Sequence, residues 1–247
     1  MNANPKTARF AGLLYLIIIA AGIFAEFFVR QSLIVAGDAA ATAANIVASE
    51  SLFRFGIAGD LIMIISDIAL ALAFYFLLKP VSRSLSLTAA FFRMTQATIL
   101  GFNLLNLFLA LSLLSGVSYL AVLGTEQLQA MGLLFLEAHG TGYSIGLVFF
   151  GINCLILGYL VVKSGYLPKV LGILLVVAGV GYLVDCFAQF LLPTYDLYAD
   201  TFAMVVFGPA VIGELAMALW LLIKGVNVRP ADDRRTLKTT PAEGITA

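Results

Sequence analysis

Six apolar stretches divide the 247-residue chain, and each is longer than the ~20 residues that a helix needs to cross the hydrocarbon core of a membrane. They are rich in Leu and Ala and show no strict alternation of apolar and polar residues, so they predict helices and not strands. The sequence therefore predicts an all-α polytopic membrane bundle of six transmembrane helices. The stretches run over Ala8–Val29, Phe55–Leu78, Ser86–Ser115, Ala138–Val162, Pro168–Leu192 and Thr201–Ile223.

The composition supports a membrane protein. Charged residues make up 11% of the chain, whereas soluble domains carry about 25%, so we expect the lipid bilayer to be part of its solvent. The formal net charge is zero, which gives no electrostatic reason to expect nucleic acid as a partner. Cys154 and Cys186 are expected at depths that differ by about 10 Å, too far apart for a disulfide, so we predict two free thiols.

The basic residues predict the orientation of the bundle. Twelve of the 14 Lys and Arg residues fall on one side of the series of stretches, and only Arg30 and Arg54 fall on the other. Because cytoplasmic loops carry the excess of Lys and Arg, both termini are expected in the cytoplasm. An even number of spans is consistent with both ends lying on the same side.

The connecting segments differ in length between the two sides. Residues 79–85 and 163–167 are short enough to predict hairpins between antiparallel helices. Residues 31–54 contain a predicted short helix capped by Asp38. Residues 116–137 are half apolar; they extend the third and fourth spans, form interfacial helix, or add a seventh membrane segment.

The domain prediction has two parts. Residues 1–225 are expected to form the transmembrane domain. Residues 226–247 are polar, with two prolines and mixed charge, which is typical of a disordered tail; we predict that this tail is cytoplasmic.

Several polar side chains interrupt the apolar stretches, where a charge at midplane costs roughly 3 kcal/mol. They are expected to face the interior of the bundle. Asp60 and Asp67 are seven residues apart, nearly two helical turns, and so point the same way. We predict a polar binding pocket that opens toward the extracytoplasmic side, with Asp67 and Glu214 at its floor. Its candidate residues are Glu26, Asp60, Asp67, Asn103, Asn106, His139, Tyr143, Asp185 and Glu214.

The charges of this pocket do not balance. Its five carboxylates outnumber the bases within reach, which are Arg30, Arg54 and His139. Some of the acids are then protonated at neutral pH, or a bound cation balances them. Arg93 is expected nearer the cytoplasmic end, where it snorkels to the interface or reaches Asp67.

Structural roles compete with this functional interpretation. For Asp60, a structural ion pair with Arg54 at the membrane edge has about the same weight as a place in the binding pocket. For the span-three amides Asn103 and Asn106, a role as interhelical hydrogen-bond partners is favoured over a role as ligands by roughly two to one. We favour His139 as a satisfied histidine at a helix end over a metal ligand, because zinc sites need about three or four ligands.

Part of the chain resembles a known family. The segments GLLYLIIIAAGIFAEFFVR, ASESLFRFGIAGDLIMIISDIALALAFYFLLKPV and KSGYLPKVLGILLVVAGVGYLVD resemble the bacterial integral membrane family labelled domain of unknown function 4386, over nearly all of the six predicted helices. The most specific piece is a Ser-x-x-x-Pro-(Lys/Arg)-x-Leu-Gly turn, formed here by Ser164, Pro168, Lys169, Leu171 and Gly172. The resemblance implies a bacterial inner-membrane protein and transfers no catalytic or binding residues.

Three functions follow from these residues. The first is a transporter of a small solute or ion, with proton coupling through Asp67 and Glu214, since intramembrane acids build proton relays. The second is an intramembrane enzyme in which carboxylates hold a hard cation and His139 acts as acid or base. The third is a structural or sensory membrane subunit whose polar side chains hold the helices together. The chain contains no phosphate loop, His-Glu-x-x-His pair or Cys-x-x-Cys pair and identifies no cofactor.

Overall fold

A computed structural model describes residues 4–226, and within them the chain is helical with no strand. The prediction of an all-α bundle with six membrane-crossing helices is confirmed, because six helices are long and apolar enough to span a membrane. We number the helices α1 Pro5–Leu33, α2 Ala39–Ala48, α3 Glu50–Leu78, α4 Arg83–Leu114, α5 Thr125–Ser164, α6 Lys169–Leu191 and α7 Ala199–Ile223. The spanning helices are all of these except α2.

The structure selects one of the three alternatives for the segment before the fourth span. Helix α5 begins at Thr125 and not at Ala138, so it extends well beyond the apolar stretch. A 3₁₀ turn at Ser118–Leu120 precedes it. Residues 116–137 therefore extend α5, and in the described part of the chain they add no seventh span. The predicted tail lies outside the described residues from residue 227 onward.

Local signals set the helix ends. The Asp38 side chain accepts a hydrogen bond of 2.9 Å from the Ala41 N–H, which confirms the predicted cap of α2 and satisfies an amide that the helix leaves open. Gly165 ends α5 with a φ of 71°, a left-handed conformation that glycine adopts without a steric penalty. Pro168 immediately precedes α6, so the predicted hairpin between the fourth and fifth spans is present.

The six spanning helices form a closed ring. Each packs against the next one along the chain, and α7 packs against α1. Adjacent helices are antiparallel, so both ends of the described chain lie on one face. We call this the basic face, because it also carries Lys79, Arg83, Lys163 and Lys169. The opposite face carries α2, which packs mainly against α5.

Glycines set the closest approaches in this ring. A Cβ atom at Gly158 of α5 would lie 2.5 Å from the backbone oxygen of Gly172 on α6, and a Cβ at Gly12 of α1 would lie 2.5 Å from the Leu222 nitrogen on α7. The backbones of these helix pairs therefore touch, as is common between membrane helices with small residues at their interface.

The outer surface of the ring is apolar. Large side chains such as Phe55, Phe102 and Ile212 are 65%, 71% and 63% exposed, which is the arrangement expected of a surface in contact with lipid. The charged and amide side chains near the middle of the spans, by contrast, turn toward the interior, and exposed ones such as Arg54 lie near the helix ends. The interior is therefore where a functional site can lie.

Candidate functional site

The buried and half-buried polar side chains between the helices form two groups at different depths. The first, which we call the central cluster, lies near the middle of the helices and takes one side chain from each of the six spanning helices. Its members are Tyr15, Asp67, Arg93, Asn153, Tyr182 and Glu214. The second, the outer cluster, lies toward the opposite face. Its members are Glu26, Arg30, Asp60, Asn103, Asn106, His139 and Tyr143.

A buried ion pair is at the heart of the central cluster. Arg93 Nε donates to Asp67 Oδ1 over 2.8 Å, and its Nη2 lies 2.5 Å from the same oxygen. Both side chains are almost fully enclosed, at 1% and 4% exposure. The Arg93 guanidinium carbon also lies 5.3 Å from the Tyr15 ring centre and 5.1 Å from that of Phe150, distances at which a cation is attracted to a ring face.

Asn153 and Gln96 complete the surroundings of this pair. Arg93 Nη1 reaches Asn153 Oδ1 at 3.5 Å, and Asn153 Nδ2 donates to the Ala89 carbonyl over 2.8 Å. The Gln96 side chain also faces the Asp67 carboxylate. The sequence left two alternatives for Arg93, contact with the interface or contact with Asp67. In the structure the guanidinium binds Asp67.

Glu214 is the second acid of the central cluster, and its partners are phenols. The Tyr182 hydroxyl donates a hydrogen bond of 2.7 Å to Glu214 Oε1, and the nearby Tyr15 hydroxyl is buried with no hydrogen-bond partner among the described residues. Glu214 lies within electrostatic range of both Arg93 and Asp67. Within residues 4–226 it forms no ion pair of its own, so this depth holds two carboxyl groups and one guanidinium, which pairs with Asp67.

Arg30 organises the outer cluster. Its Nε donates to Glu26 over 2.8 Å, and its two terminal nitrogens reach Asp60 at 2.5 and 3.4 Å. Arg30 ends a π-helical segment of α1, Phe24–Arg30, a wide turn often found at functional sites. The expected ion pair between Asp60 and Arg54 is wrong: Arg54 instead pairs with Glu50 one turn away on α3, at 2.7 Å.

Amide side chains join α4 to α5 in the outer cluster. Asn103 Nδ2 donates to the His139 carbonyl over 2.8 Å, and Asn106 Nδ2 donates to Asn103 Oδ1 over 2.9 Å. Asn103 fits because its neighbour on α5 is Gly142, where a Cβ atom would lie 2.2 Å from the amide oxygen. The bond from Asn103 to His139 is an interhelical hydrogen bond, whereas the bond from Asn106 lies within α4 and orients the Asn103 amide.

His139 lies inside α5, fifteen residues into a helix that starts at Thr125, and not at a helix end. Its Nδ1 lies 3.3 Å from the Asn103 carbonyl oxygen. Its Nε2 is buried and has no hydrogen-bond partner among the described residues. A buried ring nitrogen of this kind is a group that binds an ordered water or a ligand.

Asp185 does not form part of either cluster as we define them. It lies one turn beyond Tyr182 on α6, toward the opposite face, and the Tyr195 hydroxyl donates to it over 2.8 Å. The structure thus divides the nine candidate residues into three groups: two at the centre, six in the outer cluster, and Asp185.

A cavity of about 10 Å³ adjoins the central cluster, which is room for about one water molecule. It lies between α3, α4 and α5 on the basic-face side of Arg93, where alanines leave the space open. Its walls include Ala71, Ser86, Ala89, Ala90, Arg93 and Asn153. This cavity therefore lies on the other side of Asp67 from the outer pocket that the sequence predicts.

The positions of the His, Cys, Asp and Glu side chains bear on metal binding and on disulfide formation. Among the described residues, no three His, Cys, Asp or Glu side chains lie close enough together to hold a metal ion. Cys154 and Cys186 are buried free thiols, as predicted.

Residues 142–146 spell a Gly-x-Ser-x-Gly pattern that our sequence analysis did not single out. Such a pattern presents a nucleophile only at a sharp turn between a strand and a helix. Here it lies within α5, and the Ser144 hydroxyl donates to the Gly140 carbonyl over 3.3 Å. It is therefore a helical segment and not a nucleophile elbow.

Comparison with known proteins adds a family. The model of the domain of unknown function DUF4386 matches residues 10–225. An uncharacterized protein of Archaeoglobus fulgidus is 33% identical over 171 residues, which cover 69% of this chain and 84% of that protein. No solved structure matches. The fold is thus a membrane-spanning ring of six helices with charged residues at its centre. The chain belongs to the DUF4386 family.

Proposed function

We propose that this protein transports a small solute or ion across a membrane and that the central cluster couples transport to protonation. The observation that carries the proposal is that two buried carboxyl groups, Asp67 and Glu214, lie in the cluster with one guanidinium, Arg93, which among the described residues pairs with Asp67 and not with Glu214. A charge of this kind is expensive inside a membrane and marks ion or proton pathways.

The chemistry of the cluster suits a switch between two charge states. With Arg93 on Asp67, the Glu214 carboxyl is stable without a proton only while a cation or strong donors balance it. Tyr182 and Tyr15 supply hydroxyl groups that donate to a carboxylate or accept from a carboxylic acid. Gain of a proton at Glu214 would therefore remove one negative charge without disturbing the neighbouring ion pair.

The position of the cluster also suits transport. Since each spanning helix contributes one of its side chains, a change in charge at the centre acts on all six helices at once. The cavity beside Arg93 has room for about one water molecule and lies on the basic-face side of the cluster. Transport requires such a site to be reached from both faces in turn.

The test is a solute-uptake assay across a range of pH with Asp67→Asn and Glu214→Gln. We expect the Glu214→Gln variant to lose the pH dependence of uptake, because the side chain can no longer exchange a proton. The exposed pair Arg54→Gln and Glu50→Gln serves as the control. Profiles like that of the wild type in both central variants would remove proton coupling from the account.

The distribution of basic residues supports an orientation as well. We infer that the basic face is cytoplasmic, so that both termini are inside, and that the protein lies in the inner membrane of a bacterium. The predicted tail from residue 226 would then be cytoplasmic, and residues 1–225 would form the transmembrane domain.

A structural or sensory role is the second candidate, and one observation favours it. All five candidate acids have a polar partner: Glu26 and Asp60 pair with Arg30, Asp67 pairs with Arg93, and the other two accept from tyrosines. If these contacts only hold helices together, neutral replacements will affect stability but not uptake. The third alternative is an intramembrane enzyme that uses His139. It is supported by the His139 Nε2 atom, which has no hydrogen-bond partner among the described residues.

A further inference from the structure

We propose that the cavity beside Arg93 is a binding site for one water molecule, which accepts hydrogen bonds from the Arg93 guanidinium and donates one to the Asn153 side chain. This inference goes beyond the proposed function, because it holds whether or not the protein transports a solute. It starts from the hydrogen-bond donors of Arg93. A guanidinium carries five N–H donors and has no acceptor.

Most of these donors have no acceptor in the described part of the protein. Nε donates to Asp67 Oδ1 over 2.8 Å, and Nη1 reaches Asn153 Oδ1 at 3.5 Å. Nη2 lies 2.5 Å from Asp67 Oδ1 as part of the ion pair, yet it is buried and makes no hydrogen bond to a described residue. The Arg93 side chain is 1% exposed, so bulk water does not reach these donors. A buried donor left unpaired is costly, and an ordered water or a ligand normally satisfies it.

The cavity offers a place for such a water. One stripe of side chains from each of three helices lines it, within residues 71–78 of α3, 86–93 of α4 and 153–160 of α5. The first and last positions of each stripe are seven residues apart, which is about 10 Å along the helix axis. Arg93 and Asn153 are at the ends of their stripes that lie farthest from the basic face. The guanidinium and the amide therefore meet at the deep end of the cavity.

The size and the charge of this site favour water over other ligands. Its volume of about 10 Å³ admits about one water molecule, so a solute with several heavy atoms does not fit. A halide ion is similar in size. However, the central cluster already holds two carboxyl groups and one guanidinium, and a further negative charge would be repelled in an interior of low dielectric constant. A neutral acceptor that also carries protons suits both Arg93 and the Asn153 oxygen.

The first test replaces Ala89, which lines the cavity one turn before Arg93, by threonine and by valine. The two side chains have the same shape and differ in one hydroxyl group. Each would displace the water, but only threonine offers Arg93 an oxygen acceptor. We expect Ala89→Val to melt about 2–10 °C below Ala89→Thr in detergent, the effect of an unpaired buried donor in a chain of this size.

Ala97 provides the matched control. It lies one turn after Arg93 on the same helix, is 1% exposed, and is surrounded by apolar side chains. There, valine should be at least as stable as threonine, because a hydroxyl group gains nothing in apolar packing. An Ala89→Thr variant no more stable than Ala89→Val would show that the cavity is dry and would overturn the proposal. A wild-type melting temperature that rises with sodium chloride, but not with sodium gluconate, would assign the site to a halide and would also overturn it.

A second measurement uses the wild type alone, so it does not depend on the folding of variants. X-ray radiolysis converts bound water in place to hydroxyl radicals, which oxidise the nearest side chains. Phe74 lines the cavity and is 4% exposed, whereas Phe53 on the same helix lies in apolar packing and is 1% exposed. We expect Phe74 to be oxidised faster than Phe53, as mass spectrometry of peptides would show. A rate for Phe74 no higher than that for Phe53 would refute a bound water beside Arg93.

Discussion

At the scale of single residues, the environment of Arg93 explains how a charge is tolerated so deep in the bundle. The guanidinium has a carboxylate, an amide oxygen and two aromatic ring faces around it. Each of these partners carries negative charge or partial negative charge, so the lost hydration is replaced on several sides.

Removal of either partner should therefore be costly. We expect Arg93→Gln and Asp67→Asn each to lower the free energy of unfolding by about 3–5 kcal/mol, because each leaves an uncompensated buried charge. The double variant should lose less than the sum of the two. Unfolding in detergent, followed as a double-mutant cycle, measures this coupling.

The exposed pair Arg54–Glu50, whose side chains are 56% and 40% exposed, provides the control. The same cycle there should give less than about 1 kcal/mol. Equal coupling at the two pairs would contradict the account of Arg93.

Tyr166 offers a test outside the membrane-spanning segments. Its hydroxyl donates to the Leu77 carbonyl over 2.5 Å, and burial raises the pKa of Tyr166 from 10.0 to about 12. Because the folded state holds the phenol proton more tightly, the stability from this group is complete below pH 10. It is lost progressively as the pH rises from 10 through about 12.

The measurement compares the wild type with Tyr166→Phe across this range. The difference in melting temperature between them should shrink as the pH rises from 10 to 12. A difference that stays constant with pH would show that the hydroxyl is not buried in this way.

At the scale of elements, the close contact of α5 with α6 depends on glycine. A Cβ atom at Gly158 would overlap the Gly172 backbone, whereas a Cβ at Gly140 on the same helix would meet no atom within 4 Å. Backbone atoms cannot move aside as a flexible side chain can, so the helices would have to separate.

We expect Gly158→Ala to destabilise the protein by about 1–3 kcal/mol, the usual cost of overpacking. Gly140→Ala should be neutral, or stabilising by up to about 1 kcal/mol, since alanine favours the helix. Thermal unfolding of both variants in the same detergent gives the comparison. A lower stability of Gly140→Ala than of Gly158→Ala would exclude this packing.

The helices themselves were predictable from the sequence because hydrophobic length alone identifies a span. Which helices pack against each other was harder to predict from the sequence. The Asp38 cap and the hairpin before Pro168 follow from local signals, and the structure has both. The extension of α5 back to Thr125 was one of three alternatives for residues 116–137, because a half-apolar segment is equally consistent with an interfacial helix or a further span.

The partners of the acids depend on helix rotation, which the sequence does not determine. Arg30 takes Asp60 because a π-helical segment turns it toward α3, and no residue pattern in Phe24–Arg30 indicated that segment. Arg93 and Asp67 meet because the third span begins early enough to bring Arg93 to the depth of Asp67. Tyr182 was missed because a single tyrosine in an apolar span has no distinguishing signal.

At the scale of the whole molecule, the ring and its basic face lead to a prediction of topology. A green fluorescent protein fused after Ala247 should fluoresce, and alkaline phosphatase fused at the same place should be inactive, because both termini are expected in the cytoplasm. The opposite pair of results would invert the bundle and place the outer cluster on the cytoplasmic side.

The central claim concerns the middle of the ring. There, Glu214 exchanges a proton inside the membrane while Asp67 stays paired with Arg93. Infrared difference spectroscopy of the reconstituted protein, between acidic and alkaline buffer, detects a buried carboxylic acid by its C=O band. We predict such a band in the wild type and its loss in Glu214→Gln. The same band in both proteins, or no carboxyl band that changes with pH, would contradict the account.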